Sequence, residues 1–427
     1  MSLFHRYTSI LQNQQFLKLW LAQVSSKVSE HFLTFSLVIL LFQRTESTFL
    51  ISVFIAVVAI PPILFSAYAG VIADSFDRRK ILLISNLLRF ALVALAFAFA
   101  QHAIALIIIA FFISVVAQFF GPAEVASIPN LVPKDQLFTA NSFYSFTSYA
   151  MFLIGYTLAG PMLMRLGENS TFYLTMVLYL VAAFLVSLLP PLDHHLKKLY
   201  HSDANPFKDI KVLWERLKIG LSFIRRHKVV MFVIIQIGIV FSIERGFISL
   251  VPSFTTDIFS LSIEEISYFI ILPTGVGALI AAFIVNKLKH RIPKHKLINI
   301  GMIIDGAALF TLALWPGMQN LVGDQAIDIS LRVFVVVLAF LSGFADPFII
   351  IPAQTALHEM TPEEDRGRVF GALYTVINFL GIIPVLIIGA IAEYVSMNSI
   401  ILVLGGIILV AAFQGMHFYR SHKLGTE

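Results

Sequence analysis

The sequence predicts an all-α membrane protein with twelve transmembrane helices arranged as two pseudo-symmetric six-helix bundles. Three observations support this prediction: the composition, the grouping of the apolar runs and the placement of the basic residues. Of the 427 residues, 58% are hydrophobic and only 13% are charged, whereas about 25% are charged in an ordinary soluble domain. So few charges cannot cover a water-exposed surface of this size, which excludes a soluble enzyme, a nucleic-acid-binding protein and a disordered chain.

The apolar runs form two groups of six, and each run has about the 20 residues that a helix needs to cross a bilayer. The first group lies near 16–43, 48–73, 81–101, 103–128, 138–165 and 170–190. The second group lies near 229–256, 265–286, 296–316, 329–352, 367–392 and 398–419. We therefore divide the chain into an N-terminal bundle at 1–190, a cytoplasmic linker at 191–228 and a C-terminal bundle at 229–427.

The basic residues give the orientation. With the N-terminus inside, 24 of the 30 Lys and Arg residues fall on cytoplasmic segments and three on the opposite side. Since Lys and Arg are retained on the cytoplasmic side, the pattern predicts an even number of spans with both termini in the cytoplasm. The linker holds nine basic residues, and its apolar residues recur at helical spacing, which predicts an amphipathic helix on the inner membrane surface.

A weak internal repeat relates the two groups of runs. Pro133 and Pro362 are 229 residues apart, and so are Gly160 and Gly389. Internal repeats of this kind are typical of transporters built from two related halves.

Other chemistry is sparse in this sequence. The absence of cysteine excludes disulfides, zinc–thiolate sites, iron–sulfur clusters and thiol nucleophiles. We find no phosphate-binding glycine loop with its lysine and no nucleophile–base pair at a recognisable spacing. We therefore expect neither an enzyme nor a protein with a bound metal or cofactor.

The segment GVIADSFDRRK, directly after the second run, resembles the signature loop of the major facilitator superfamily. Asp77 stands where the broad family pattern has glycine. In this form the loop is similar to that of a subgroup that includes the enterobactin exporter, macrolide-efflux proteins and lysophospholipid transporters. The proline-rich run from Pro122 and the segment DRGRVFG at 365–371 are similar to the same subgroup.

The resemblance implies a conformational gate on the cytoplasmic side of the protein. Its residues would be Gly70, Asp74, Arg78, Arg79, Arg366 and Arg368. We expect Gly70 to let two helices approach closely, and Arg78 and Arg79, with Lys80, to contact the anionic inner leaflet.

Nine ionisable residues interrupt the apolar runs, although burying one charge in hydrocarbon costs about 2.5–3.5 kcal/mol. Seven lie on runs 1, 4, 7 and 10, which line the central cavity in the superfamily that the chain resembles. These seven are Lys27, Glu30, His31, Glu124, Glu244, Arg245 and Asp346. We therefore expect them to line a water-filled substrate cavity. The other two are Arg89, for which we expect an ion pair or snorkelling, and Asp305, to which the sequence assigns no role.

The spacing of these residues leaves two interpretations open. Lys27, Glu30 and His31 share one helical face, whereas Glu244 and Arg245 point about 100° apart and should pair with different neighbours. In one interpretation, Glu30, Glu244 or both exchange protons, with His31 tuning or relaying, because burial and nearby charges change the proton affinity of a carboxyl group. In the other, Lys27–Glu30 and Glu244–Arg245 belong to ion pairs that fix helix contacts.

The resemblance and the buried acids together predict a monomeric, proton-coupled exporter that works by alternating access in the bacterial cytoplasmic membrane. Its expected partners are a small amphipathic substrate, such as a drug or siderophore, together with protons and membrane lipid, but no nucleic acid. Two alternatives remain at this stage. One is a transporter or flippase for lysophospholipid or another lipid, and the other is a non-transporting receptor or scaffold on the same fold.

Overall fold

The computed structural model describes residues 10–133, 136–192, 218, 221–259, 262–288, 291–315, 327–361 and 366–421. These residues form twelve long helices, labelled α1 to α12 in chain order, and contain no β-strand. The helices are α1 Gln14–Thr45, α2 Thr48–Ser75, α3 Arg78–Ala98, α4 Ala103–Leu131, α5 Leu137–Leu166, α6 Glu168–Ser187, α7 Lys228–Phe259, α8 Leu272–Leu288, α9 Lys294–Ala313, α10 Ile327–Met360, α11 Arg366–Ile391 and α12 Met397–Ser421.

Eleven of these helices are long and apolar enough to cross a membrane, and in α11 the described apolar part is Val376–Ile391. The predicted all-α fold with multiple spans is therefore confirmed. The helix α8 is preceded by a 3-10 turn at Ile263–Glu265 and a π-helical turn at Ser267–Ile271. The hydropathy of the sequence did not predict these two turns. Of the predicted linker helix, residues 221–226 are helical, while most of the linker lies outside the described residues.

The chain forms two compact units. The first consists of Met1–Thr45 with Val57–Leu213, and the second of Glu46–Ala56 with Trp214–Glu427. In the first unit, α1 packs on α4, α5 and α6, and α3 packs on α4 and α6. In the second unit, α7 packs on α10, α11 and α12, and α9 packs on α10 and α12. These five helix pairs thus recur at corresponding places in both units, in agreement with an internal repeat.

The segment 46–56 packs with the second unit, although it lies inside the predicted N-terminal bundle. The Ser47 hydroxyl donates a hydrogen bond to Glu393 Oε1 at 2.9 Å, and the hydroxyls of Thr48 and Ser253 are hydrogen-bonded to each other. A Cβ atom on Gly389 would overlap the Ser52 side chain. Glycine is therefore needed at 389 for this close packing.

The apolar residues of each unit are divided between an interior and an outer surface. Phe16 and Phe120 are fully buried in the first unit, and Phe254 is buried in the second. Ile104 and Phe283, by contrast, are 71% and 68% exposed. Large apolar side chains on an outer surface are expected of helices that face lipid, because hydrocarbon solvates them as well as a protein interior does.

Candidate functional site

In the first unit, one carboxylate lies between two cations. Lys27 Nζ is 3.0 Å from Glu30 Oε2, and Arg89 Nη1 is 3.9 Å from the same oxygen. The side chains of Lys27 and Glu30 are about one quarter exposed, at 23% and 26%, whereas that of Arg89 is 0% exposed. The sequence placed Lys27 and Glu30 on one face, and the structure adds a buried guanidinium from α3.

Polar and aromatic contacts from three helices hold the Arg89 side chain. Arg89 Nη1 donates a hydrogen bond to Ser26 Oγ at 3.0 Å. The guanidinium carbon lies 4.7 Å from the centre of the Phe120 ring and 5.7 Å from that of Tyr179, which is within the range of cation–π attraction. The expectation of an ion pair for Arg89 is thus met, with Glu30 as the partner.

Glu124 of α4 belongs to the same group of charges. Its side chain is 1% exposed and faces Tyr144, with Lys27 and Arg89 as the cations that act on it. Glu124 Oε1 has no hydrogen-bond partner among the described residues. The first unit therefore brings Glu124 near the ion-paired group of Lys27, Glu30 and Arg89.

His31 lies in a group of aromatic rings that we call the aromatic cluster: His31, Phe35, Phe152 and Tyr156. The His31 ring is 5.2 Å from the Phe152 ring and 5.9 Å from the Tyr156 ring, and Phe35 stacks on Tyr156 at 5.1 Å. Gly155 permits this close approach of α1 and α5, because a Cβ atom at that position would lie 2.7 Å from His31 Cβ. His31 is therefore packed among rings, next in sequence to Glu30.

The second unit brings acids together without matching cations. The side chains of Glu244 on α7 and Asp346 on α10 lie close enough to act on each other electrostatically, and both residues are half-buried. Glu244 Oε1 has no hydrogen-bond partner among the described residues. Two ionised carboxylates at short range repel each other, so this arrangement favours a proton on one of them.

Arg245 points away from this carboxyl pair and towards α11. Its Nη2 atom donates a hydrogen bond to Asn378 Oδ1 at 2.7 Å. The two adjacent helical residues therefore diverge as expected: Glu244 lies beside Asp346, and Arg245 donates to the amide oxygen of Asn378. This arrangement differs from the interpretation in which Glu244 and Arg245 belong to a common ion pair.

The expectation that Arg78 contacts the lipid surface is wrong. Arg78 is only 5% exposed, and its Nε and Nη1 atoms donate hydrogen bonds to the carbonyl oxygens of Ala73 and Ala126 at 3.2 and 2.6 Å. Carbonyl groups near a helix end have no partner within the helix and carry partial negative charge. Arg78 therefore joins the end of α2 to α4 inside the unit.

Asp77, which departs from the family pattern, has a structural role that we did not predict. Its Oδ1 atom accepts a hydrogen bond from the backbone N–H of Arg79 at 3.0 Å and another from that of Leu192 at 3.2 Å. The Arg79 guanidinium donates to the carbonyl of Ser187. Asp77 is therefore the N-cap of α3 and also anchors the segment after α6. An aspartate directly before a helix is a cap signal that the sequence did contain.

The other gate residues are only partly described. A Cβ atom on Gly70 would meet no heavy atom within 4 Å, so the close helix contact expected there is absent from this structure. The side chains of Asp74, Arg366 and Arg368 lie outside the described residues. The role of these four residues in a gate stays a prediction.

The sequence has relatives among transporters along most of its length. Macrolide efflux protein A of Streptococcus pyogenes is 22% identical over 411 residues, which cover 93% of this chain and 94% of the relative. The MFS-type transporter YfiS of Bacillus subtilis (strain 168), itself uncharacterised, is 26% identical over 380 residues, covering 86% and 84%. The staphyloferrin A transporter of Staphylococcus aureus is 26% identical over 255 residues, covering 58% and 61%.

Solved structures show the same fold. The nucleoside transporter NupG has a TM-score of 0.70 at 16% identity, covering 95% of this chain and 99% of that one. A POT peptide transporter in complex with alafosfalin has a TM-score of 0.71 at 14% identity, covering 96% of both chains. The sequence profile of the Major Facilitator Superfamily matches residues 19–324 and 321–424. The chain therefore belongs to the Major Facilitator Superfamily and is a multi-pass membrane transporter.

Proposed function

We propose that the protein is a secondary active transporter that exports an amphipathic small molecule in exchange for protons by alternating access. The observation that carries this proposal is the closeness of two half-buried carboxyl groups, on Glu244 and Asp346. Because each carboxyl group raises the proton affinity of its neighbour, a conformational change that separates the two groups changes that affinity. Such a change couples proton release to transport.

The two acids of the first unit fit this role less well. Glu30 has Lys27 and Arg89 beside it, so its charge is balanced without a proton. We therefore assign proton coupling to Glu244 and Asp346. Lys27, Glu30 and Arg89 form an ion-paired polar cluster within the first unit.

The relatives and the aromatic cluster support an amphipathic substrate. A macrolide efflux protein aligns with 93% of this chain, and a staphyloferrin A transporter aligns with 58%. The aromatic cluster places rings beside the Lys27–Glu30 ion pair. Rings with a few placed charges are typical of sites that bind molecules with both apolar and polar parts.

The location also follows from the sequence and the relatives. The relatives are bacterial, and 24 of the 30 basic residues fall on one predicted side. We infer a protein of the bacterial cytoplasmic membrane with both termini in the cytoplasm.

Transport in proteoliposomes with an imposed pH gradient tests the coupling, with radiolabelled erythromycin as the probe. We expect Glu244→Gln to reduce gradient-driven accumulation about tenfold, within the usual range for coupling between two binding sites. The matched control is Glu359→Gln, which makes the same change at a 59% exposed acid and should leave accumulation unchanged. Accumulation that survives Glu244→Gln, Asp346→Asn and Glu30→Gln would show that these acids do not couple protons to transport.

The same vesicles distinguish the alternative substrates. Movement of fluorescent lysophosphatidylethanolamine without transport of erythromycin would replace the small-molecule assignment by a lipid one. Failure of both probes, and of a staphyloferrin-type carboxylate siderophore, would favour a receptor or scaffold.

A further inference from the structure

Asp305 is a buried acid in the middle of α9 to which the sequence assigned no role. Its side chain is 1% exposed. The Ser342 hydroxyl donates a hydrogen bond to Asp305 Oδ1, while Oδ2 has no hydrogen-bond partner among the described residues. An ionised carboxylate with one neutral donor in an apolar interior is strongly unfavourable.

The surroundings of Asp305 supply further acids. Ser342 and Asp346 are four residues apart on α10 and therefore lie on the same helical face, so the bond from Ser342 directs that face towards Asp305. Asp346 acts electrostatically on Asp305, and Glu244 lies near Asp346 in turn. We call these three residues, Glu244, Asp346 and Asp305, the carboxyl chain.

The charged groups around the carboxyl chain do not supply enough positive charge to neutralise its three carboxyl groups. From α7, Arg245 acts on Glu244, but its guanidinium is hydrogen-bonded to Asn378. From α12, the atoms that pack at the neighbouring Gly306 belong to Gly405 and Leu409, which carry no charge. Among the described residues, three acids thus face one cation.

The corresponding position of the first unit carries a cation instead. Arg89 is the twelfth residue of α3, which begins at Arg78, and Asp305 is the twelfth residue of α9, which begins at Lys294. The helices α3 and α9 pack on equivalent partners in their units. In the first unit this position holds Arg89, which neutralises Glu30. In the second unit it holds a further acid, Asp305.

We propose that Asp305 is a proton-binding residue of the transport cycle and the inner end of the carboxyl chain. The half-buried Glu244 and Asp346 exchange protons with water, and Asp346 passes a proton to the buried Asp305. In that step one O–H bond breaks on Asp346 and one forms on Asp305, so the total charge of the chain does not change. Its role in transport rests on the proposed function, whereas its protonation does not.

The described geometry favours protons over a metal ion. Among the described residues, no three His, Cys, Asp or Glu side chains converge as metal ligands. The proposal nevertheless treats a sodium ion as a distinct outcome of the test, because carboxylate and hydroxyl oxygens can also bind small cations.

Infrared spectroscopy of the purified protein in lipid nanodiscs tests the protonation without any substrate. We expect the C=O stretch of protonated carboxyl groups at neutral pH in the wild type, and the loss of one component in Asp305→Asn. The component lost in Glu244→Gln should be a different one. In Ser342→Ala the Asp305 component should shift in frequency but persist, which provides a second readout if Asp305→Asn folds poorly. Identical spectra for the wild type, Asp305→Asn and Ser342→Ala would overturn the proposal.

Transport tests the second part of the proposal. We expect Asp305→Asn to retain erythromycin exchange between equal pools, which needs no net proton movement, and to lose about tenfold in pH-gradient-driven accumulation. Unchanged accumulation, or accumulation driven by a sodium gradient alone, would contradict the proposed role. If Glu244→Gln also leaves transport intact, the proposed function fails, while the infrared result still decides whether Asp305 holds a proton.

Discussion

The two units share one arrangement of helices but treat charge in opposite ways. In the first unit, Arg89 and Lys27 lie beside Glu30, and the charges are balanced by side chains. In the second unit, Glu244 and Asp346 lie beside each other, and the cation next to them in sequence, Arg245, is hydrogen-bonded to Asn378. Two units with equivalent helix pairs can thus carry different arrangements of charged residues.

This difference separates two roles that a transporter needs. Charges balanced by protein groups stay fixed through a cycle and preserve the structure around the substrate path. Charges balanced by protons can be switched by the solvent, because a change of burial or of a neighbouring charge moves the proton. Under the proposed function, the first unit keeps its charges through the cycle and the second unit is the one that responds to pH.

The largest effect on the difference between the two units is expected from removing the buried guanidinium of Arg89. We expect Arg89→Met to lower the free energy of unfolding by about 3 kcal/mol, because it leaves a partly buried carboxylate with one cation fewer. In the second unit, Arg245→Met should cost about 1 kcal/mol, since it removes one hydrogen bond from a half-buried group. Thermal unfolding in detergent, followed by tryptophan fluorescence, measures both. Equal losses would contradict the distinction between the two units.

A second test compares glycines at the same kind of helix contact. A Cβ atom on Gly155 would lie 2.7 Å from His31 Cβ, whereas one on Gly381 would lie 3.4 Å from Arg245 Nη1, at the end of a flexible side chain. We expect Gly155→Ala to destabilise the protein by about 2 kcal/mol through overpacking. Gly381→Ala should change stability by no more than about 0.5 kcal/mol. If Gly381→Ala lowered the unfolding temperature more than Gly155→Ala, the helix contact at Gly155 would be less tightly packed than the one at Gly381.

The smallest expected effect concerns the Lys27–Glu30 ion pair. A double-mutant cycle with Lys27→Met and Glu30→Gln should give a coupling energy of about 0.4 kcal/mol, typical of such pairs on one helix. The cycle for Lys294 and Glu359, whose side chains are 32% and 59% exposed, serves as the control and should give no more than this. A coupling energy above about 2 kcal/mol for Lys27–Glu30 would mean that Arg89 does not share in balancing Glu30.

Much of the fold could be predicted from the sequence because apolar runs report membrane spans directly. The third run, predicted near 81–101, corresponds to α3 at Arg78–Ala98, and the charged residues of α1 and α7 were identified from their surroundings in the chain. Helical spacing also placed Lys27 and Glu30 on one face, where the structure shows an ion pair.

The partners across helices could not be predicted. Arg89 and Glu30, or Glu244 and Asp346, meet only because distant helices pack together, and helical periodicity defines a face without identifying the helix that it contacts. The expectation for Arg78 was wrong for the same reason. Its basic neighbours predicted a lipid surface, but the tertiary structure places the Arg78 guanidinium against the carbonyl oxygens of Ala73 and Ala126.

The segment 46–56 has a consequence for the order of synthesis. Thr48 is 205 residues from its hydrogen-bond partner Ser253, and Ser47 is 346 residues from Glu393. At the usual rate of chain elongation, these partners leave the ribosome on the order of tens of seconds after the segment itself. The Thr48 hydroxyl therefore lacks its partner until residue 253 has been made, and the Ser47 hydroxyl lacks Glu393 until residue 393 has been made. Ser47 Oγ can meanwhile accept its local hydrogen bond from the Leu50 N–H.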